Sequence, residues 1–331
     1  MQKFIRKIAW YSFFVIATFF LVSKIVDFGL RSSEALVWRN WNDIYKGNIN
    51  ADILIMGSSR AETQFQPWII DSITGMNSFN IGISGHEFTI QYCKYKFYRE
   101  FNCKPEIIIQ NVDAATFGKA ENLYTYEQFL PYLSDTIIHK YTRRYNGFSW
   151  IDYNLPLFKY FGAQRALIIG LAQYLPFKKI KDYPYHVKYY KGYHEQHENL
   201  INEDAVRLKL KKNNSTLQEF EKFVCQCKSD TIKLILVHTP VLQQKHDQNK
   251  EYIRQIQEIA DNYSLLFMNY LNDSLCFNEK SFYDPVHLNV KGAGVFSTRF
   301  SNDLMDMLNI PEVAQSQNKL YSIRNIHNGK N

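Results

Sequence analysis

The sequence predicts an α/β fold built on a parallel, doubly wound sheet. Two observations carry this. Short, nearly all-apolar segments of strand length recur along the chain, as expected of strands buried on both faces. Helical patterns alternate with them, and strand–helix alternation requires parallel neighbours joined by crossovers. Of the 331 residues, 46% are hydrophobic and 21% charged, the balance of a globular chain rather than a disordered one. That length suits one large domain or one domain with a sizeable insertion.

The first residues stand apart. Lys3, Arg6 and Lys7 precede an uncharged run over residues 8–22, IAWYSFFVIATFFLV. A spanning helix needs about 20 apolar residues. Residues 23–26 extend the run, because Lys24 can snorkel to the interface. No small-x-small cleavage site follows, so residues 1–30 are expected to be an uncleaved transmembrane signal anchor rather than a removed signal peptide. The basic flank then stays inside and the rest of the chain lies outside. A buried core helix is the bland alternative. Residues 31–50, polar from 40 to 50, are expected as a linker, residues 51–311 as the folded domain and residues 312–331 as a loose polar tail.

The first strand is expected at 52–56, DILIM, ending in Gly57. A short helix follows, opened by Pro67 and closed by Gly75. A second strand at 78–81 runs into Gly82-Ile83-Ser84-Gly85, and residues 86–101 read as a helix. Pro105 precedes a third strand at 106–110. Strands four and five are expected at 232–237 and 265–268, preceded by helices at 217–227 and 252–263. The last helix is expected at 290–308. The span of about 114–230, rich in Tyr, Phe and His, is too long for a plain loop and reads as a mostly helical inserted subdomain or lid.

Composition narrows function. The formal charge of +7 is spread along the chain without a basic block or nucleic-acid motif, so no nucleic-acid partner is expected. A mild attraction to anionic envelope polymers or lipid headgroups is all it implies. The 23 Tyr and 24 Phe read first as packing, with sugar-binding platforms as the sharper alternative. The five cysteines are odd in number, and Cys225 and Cys227 lie too close for the usual zinc pair. His194-Glu195-Gln196-His197 does not have the spacing of a zinc-protease motif and reads as a solvated stretch. No metal and no cofactor are expected.

The segments with chemistry are Gly57-Ser58-Ser59-Arg60 and Asp284-Pro285-Val286-His287-Leu288-Asn289. A serine hydroxyl is a poor nucleophile until a base removes its proton. An Asp three residues before a His can orient the imidazole and stabilise its charged form. Alone, Ser59 reads as turn chemistry and Asp284–His287 as a structural pair. Together, at predicted strand ends, Ser59, His287 and Asp284 suggest nucleophile, base and orienting carboxylate. Arg60 reads as a contact to a substrate carboxylate or phosphate, or as a structural salt bridge.

These segments resemble the blocks of the SGNH, or GDSL-type, hydrolases. LIMGSSR is similar to the first block, with Ser59 at the nucleophile and Ser58 where Asp is common. Asn80-Ile81-Gly82-Ile83-Ser84-Gly85 is similar to the second, whose last Gly lends an oxyanion-hole N–H. That places the role on Gly85, with Gly82 second and the Ser59 N–H as companion. Asp284-Pro285-Val286-His287 matches the last block, D-x-x-H. The third block departs: for G-x-N-D this chain has Gln110-Asn111-Val112-Asp113, leaving Asn111 as the amide donor and Asp113 as another polar candidate.

The resemblance covers roughly 51–113 and 231–309. It implies a flavodoxin-like three-layer sandwich of about five parallel strands. The GSS variant looks like the branch of envelope acyl-transfer proteins that serve teichoic-acid D-alanylation and alginate O-acetylation. The resulting expectation is a membrane-anchored, extracytoplasmic serine esterase or O-acyltransferase. Its substrate would be an acylated envelope or secreted glycan or another ester, and its partner a membrane-bound acyl-donor protein. The alternative is a non-catalytic glycan-binding or assembly protein that keeps the fold.

Overall fold

The computed structural model describes residues 1–174, 188–196, 213–242 and 246–308, the side chains of 246–249 excepted. In chain order the elements are α1 (Gln2–Ser32), α2 (Leu36–Tyr45), β1 (Ile53–Met56), α3 (Ser59–Gln64), α4 (Pro67–Thr74), β2 (Ser78–Asn80), α5 (Phe88–Phe101) and β3 (Ile107–Asn111). Then come α6 (Thr136–Thr142), α7 (Trp150–Asn154), α8 (Gln164–Ala172), the short strands β4 (Tyr189–Tyr190) and β5 (Tyr193–His194), and α9 (Asn214–Ser229). The chain closes with β6 (Lys233–His238), α10 (His246–Tyr263), β7 (Leu266–Asn269), β8 (Phe282–Asp284), β9 (His287–Leu288) and α11 (Val290–Leu308).

The chain forms two compact units. Residues 47–119 and 188–308 make one, and residues 1–46 and 120–174 the other. The first contains a five-stranded sheet in the order β2-β1-β3-β6-β7. Every neighbouring pair is parallel. Taken by position among these five, the order is 2-1-3-4-5, the flavodoxin-like winding with its switch point between β1 and β3. The fold class is the one expected, and each strand lies within about one residue of its predicted bounds.

Why these strands are central is visible in their side chains. Ile53, Ile55, Ile107, Ile109, Ile235, Val237 and Met268 point to one face and pack with Phe65, Phe296, Phe300 and Leu304 from the α3–α4 connection and α11. The alternate residues Leu54, Ile108 and Leu236 are also fully buried, so the second face is covered too. Behind it, Phe88, Tyr92 and Tyr95 of α5 meet Phe220 and Phe223 of α9 edge to face or tilted. Each fully buried aliphatic side chain contributes about 1.5–3 kcal/mol. The many aromatics in this unit are thus packing residues in large part.

The second unit corrects two expectations. α1 does not end outside the fold: Val26 and Leu30 lie in a core with Ala35, Trp38, Leu130, Tyr160, Ala163, Ala166 and Ile169. Residues 31–50 are not a linker, because α2 occupies 36–45 and buries Trp38, Trp41 and Ile44. Its apolar residues recur at the three-residue spacing of a helix face, hidden in the sequence among Asn40, Asn42 and Asp43. Asn42 Nδ2 caps the end of α1 by donating to Leu30 O at 2.9 Å and Ser33 O at 2.8 Å.

Of the insertion expected at 114–230, residues 120–174 cluster with the N-terminal 46 residues, whereas β4, β5 and α9 cluster with the sheet. The polar tail expected at 312–331 lies outside the described residues.

Candidate active site

The site begins where β1 stops. Gly57 has φ 146°, and a Cβ there would lie 2.8 Å from both Ala61 Cβ and Asn111 Cβ. Only glycine fits this turn, which swings the chain from the sheet into α3. Ser58 is the N-cap and Ser59 the first helical residue, so the Ser59 N–H has no carbonyl partner within the helix. Ser59 stands at the carboxyl end of β1, beside the switch point where doubly wound sheets bind ligands.

His287 comes from the far end of the chain. β8 and β9 form a tight antiparallel pair with Asp284 opposite His287. Asp284 Oδ1 accepts the backbone N–H groups of Val286 at 2.8 Å and His287 at 2.9 Å. Its Oδ2 lies 2.7 Å from His287 Nδ1, and His287 Nε2 lies 2.7 Å from Ser59 Oγ. A carboxylate only accepts, so the neutral imidazole carries its proton on Nδ1 and leaves Nε2 to accept from the Ser59 hydroxyl. Burial pushes the Asp284 carboxyl up. The His287 hydrogen bond and charge, with the two backbone donors, outweigh burial and hold it below the usual carboxylate range. Both His287 and Asp284 side chains keep some exposure, 22% and 26%, so the pair is open to a small reactant.

Further bonds tie these segments together. Gln64 Nε2, at the end of α3, donates to Val286 O at 2.9 Å, so the helix that begins at Ser59 holds the His287 turn. From the β6 side, the Leu242 N–H donates to Pro285 O at 2.9 Å. Nothing in the sequence marks Gln64 for this role.

The loop after β2 separates the two glycine candidates. The Gly82 N–H donates to Asn80 Oδ1 at 2.8 Å, so it is engaged locally. Gly85 sits in an exposed turn at φ 73°. The loop is held on α3 and α5: Ser84 Oγ donates to Glu62, and the buried Lys94 amine donates to Gly82 O at 2.9 Å. Glu62 also approaches His194 Nδ1 of β5 at 3.4 Å. His194 is therefore packed on α3 rather than a solvated residue, while His197 lies outside the described residues. No cluster of three metal-ligating side chains occurs among the described residues.

Two expected site residues turn inward instead. Asn111 is fully buried, and its amide donates to Val237 O at 3.1 Å and Thr239 Oγ1 at 3.4 Å. It bridges β3 to the end of β6 rather than presenting a donor at Ser59. Arg60 is only 5% exposed. Its guanidinium donates to Thr239 Oγ1 at 3.1 Å and to Thr239 O, and lies 3.3 Å from His238 Nε2. It is a structural residue, not a substrate contact, because its donors face the interior. The residue beside the β1–α3 turn is Asp113, which accepts from Ser58 Oγ. Asp113 Oδ1 also accepts the Ala115 N–H at 2.8 Å. The first Ser of the GSS sequence thus joins β1 to the strand-three segment.

The fold and the site define a doubly wound α/β protein with a hydrogen-bonded Ser–His–Asp chain at the carboxyl edge of its sheet. No family model matches the sequence, and no curated protein matches it. Among solved structures, the chain is similar to a lipolytic protein of the G-D-S-L family from Desulfitobacterium hafniense, with 10% identity over 76% of this chain and 99% of that one and a TM-score of 0.40. A protein described as a platelet activating factor from Streptococcus pneumonia is 12% identical over 90% and 98%, with a TM-score of 0.41. A GDSL-like lipase from Bacteroides thetaiotaomicron is 11% identical over 76% and 88%, with a TM-score of 0.33.

Proposed function

We propose that this protein is a serine-dependent acyl-transfer enzyme, an esterase or O-acyltransferase. The observation that carries the reading is the unbroken chain Ser59–His287–Asp284, with both links at 2.7 Å. In this mechanism Ser59 Oγ attacks the ester carbonyl while its proton passes to His287 Nε2. Asp284 keeps the tautomer and stabilises the imidazolium. The carbonyl oxygen becomes an oxyanion, held by the N–H groups of Ser59 and Gly85. Collapse expels the alkoxide, which takes the proton from His287. Water or a sugar hydroxyl then gives its proton to His287 and attacks the acyl-enzyme; as this second intermediate collapses, the bond to Ser59 Oγ breaks, Ser59 takes the proton back from His287, and an acid or a new ester leaves.

The substrate class is an acylated envelope or secreted glycan, the acyl group small, such as acetyl. α1 supports this assignment: it is long and apolar enough to cross a membrane. The body then lies on the extracytoplasmic side, by the basic flank at Lys3, Arg6 and Lys7. A membrane-bound acyl donor is the partner this topology suits.

One observation favours a second reading, a non-catalytic glycan-binding or assembly protein. The Asn111 amide is engaged within the sheet, leaving the site without that side-chain donor. Fluorophosphonate labelling decides between them. The probe is applied to the full chain in detergent, since Val26 and Leu30 of α1 belong to a folded core. Labelling of the wild type, absent in Ser59→Ala and strongly slowed in His287→Ala, is the result expected of the enzyme. A folded wild type that takes no label sinks it in favour of binding.

A further inference from the structure

α1 changes character along its length. Residues 2–21 are exposed on every side, whereas from Ser23 one face is buried by its own unit. α8 is one of the elements that cover it. The two helices meet at a glycine pair: a Cβ on Gly29 would fall 2.0 Å from Gly170 O, and one on Gly170 would fall 2.8 Å from Val26 O. Small residues on both sides bring the backbones into direct contact. One turn further on, Tyr174 Oη donates to Ile25 O at 3.1 Å. The carboxyl end of α8 is therefore bound to α1 between Ile25 and Gly29.

That position has a consequence if α1 spans a bilayer, and the inference rests on that reading. Lys24 is the first charge after the apolar run, and its amine lies 5.4 Å from the Phe20 ring centroid. Residues 25–29 then rise about 1.5–7.5 Å past it, at 1.5 Å per residue. The headgroup layer is about 5–7 Å deep on each side of the hydrocarbon. The end of α8 falls within it.

The outward side chains of α8 suit such a place. Ala163, Ala166 and Ile169 face the unit's core, and Ile168 and Leu171 face away, 57% and 38% exposed. Phe28 of α1 and Tyr174 add 65% and 51% exposed aromatic surface beside them. Tyrosines with one wet and one apolar end concentrate at this depth. Asp27, the next charge on α1, is paired at 2.6 Å with Lys159 and bonded by Tyr160, so it puts no open carboxylate into the layer.

We infer that α8 is an interfacial helix whose Ile168, Leu171 and Tyr174 flank, with Phe28, sits in the headgroup layer. The helical unit is then seated on the membrane rather than tethered above it. The occupant of this apolar face is lipid.

Nitroxide accessibility tests this on the full chain in nanodiscs. The exposed thiols are first removed by Cys103→Ser and Cys225→Ser, leaving the buried Cys93, Cys227 and Cys276. Labels are placed by Ile168→Cys and Leu171→Cys, with Phe14→Cys as the bilayer reference and Glu34→Cys as the aqueous one. The expected result is a shift at both α8 sites toward oxygen and away from a water-soluble nickel chelate, relative to Glu34→Cys. Nickel collision equal to that at Glu34→Cys, with Phe14→Cys shielded, overturns the interfacial helix and leaves the anchor standing. That same result with shielding restored by a membrane protein partner assigns the face to protein instead. Nickel access at Phe14→Cys overturns the anchor and the inference together.

Discussion

At Asp284 one carboxylate performs two tasks. Its Oδ1 holds the backbone of the turn through two N–H groups, and its Oδ2 holds the imidazole. Asp284→Asn keeps the size and much of the turn, but its NH₂ favours the tautomer that puts the proton on Nε2. Ser59 then faces a donor instead of a base. On the proposed mechanism, kcat falls about 10³–10⁴-fold. Stability changes little, and a stopped acetate-release assay beside thermal unfolding separates the two effects. Gln64 acts one step removed, through its 2.9 Å bond to Val286 O. Gln64→Leu removes a hydrogen bond whose net worth is about 1 kcal/mol. The expected signature is a lower kcat with an unchanged KM and slower fluorophosphonate labelling. An unchanged labelling rate would show that the His287 turn holds without Gln64.

At the scale of elements, the β1–α3 turn carries the tightest demand. Gly57→Ala forces a Cβ into the space between Ala61 and Asn111 at a φ that L-residues avoid. Strain and overpacking together cost about 2–4 kcal/mol, read from denaturant unfolding. A loss under 1 kcal/mol would mean that the turn relaxes. This turn was legible in the sequence, since an apolar strand running into Gly-Ser-Ser announces the bend, whereas Ser59 drew a catalytic reading only beside Asp284 and His287. The strands were legible for a similar reason: burial on both faces leaves almost no polar residue, and Gly57, Gly75 and Pro105 mark the breaks between elements. α2 was not legible, because its buried stripe of Trp38, Trp41 and Ile44 is interleaved with polar residues that resemble a linker. The third polar block stayed open between Asn111 and Asp113, because sequence order cannot say which way a strand-end side chain turns. Asn111 and Asp113 differ by two positions, yet one bonds to β6 and the other to Ser58. Nor could it say that Arg60, one residue past Ser59, turns inward to Thr239.

At the scale of the whole molecule, the sheet unit encloses a lysine whose charge it disfavours. Lys94 is 2% exposed, and its amine has the Gly82 carbonyl at 2.9 Å. Burial pushes its pKa down to about 7, against an opposing pull from the Glu62 carboxylate. In the unfolded chain the same amine titrates near its ordinary value of 10.5. Between these two values the unfolded state binds a proton that the folded state has released. Stability must therefore rise with pH through that window, by at most about 1.4 kcal/mol per pH unit from this group, and lie flat below it. Cys227 and Cys276 act in the opposite sense above pH 9: burial raises both thiols in the folded state, to about 12 and about 11. The useful range is thus pH 7 to 8.5, and the useful quantity is the difference between wild type and Lys94→Met, in which the thiols cancel. Lys94→Met leaves Gly82 O without its donor and shifts the whole curve, but it removes the slope. Denaturant unfolding at pH 7, 7.75 and 8.5 should show the wild type gaining on the variant at each step. Parallel curves would mean that Lys94 stays charged in the fold, held by Glu62 strongly enough to offset its burial.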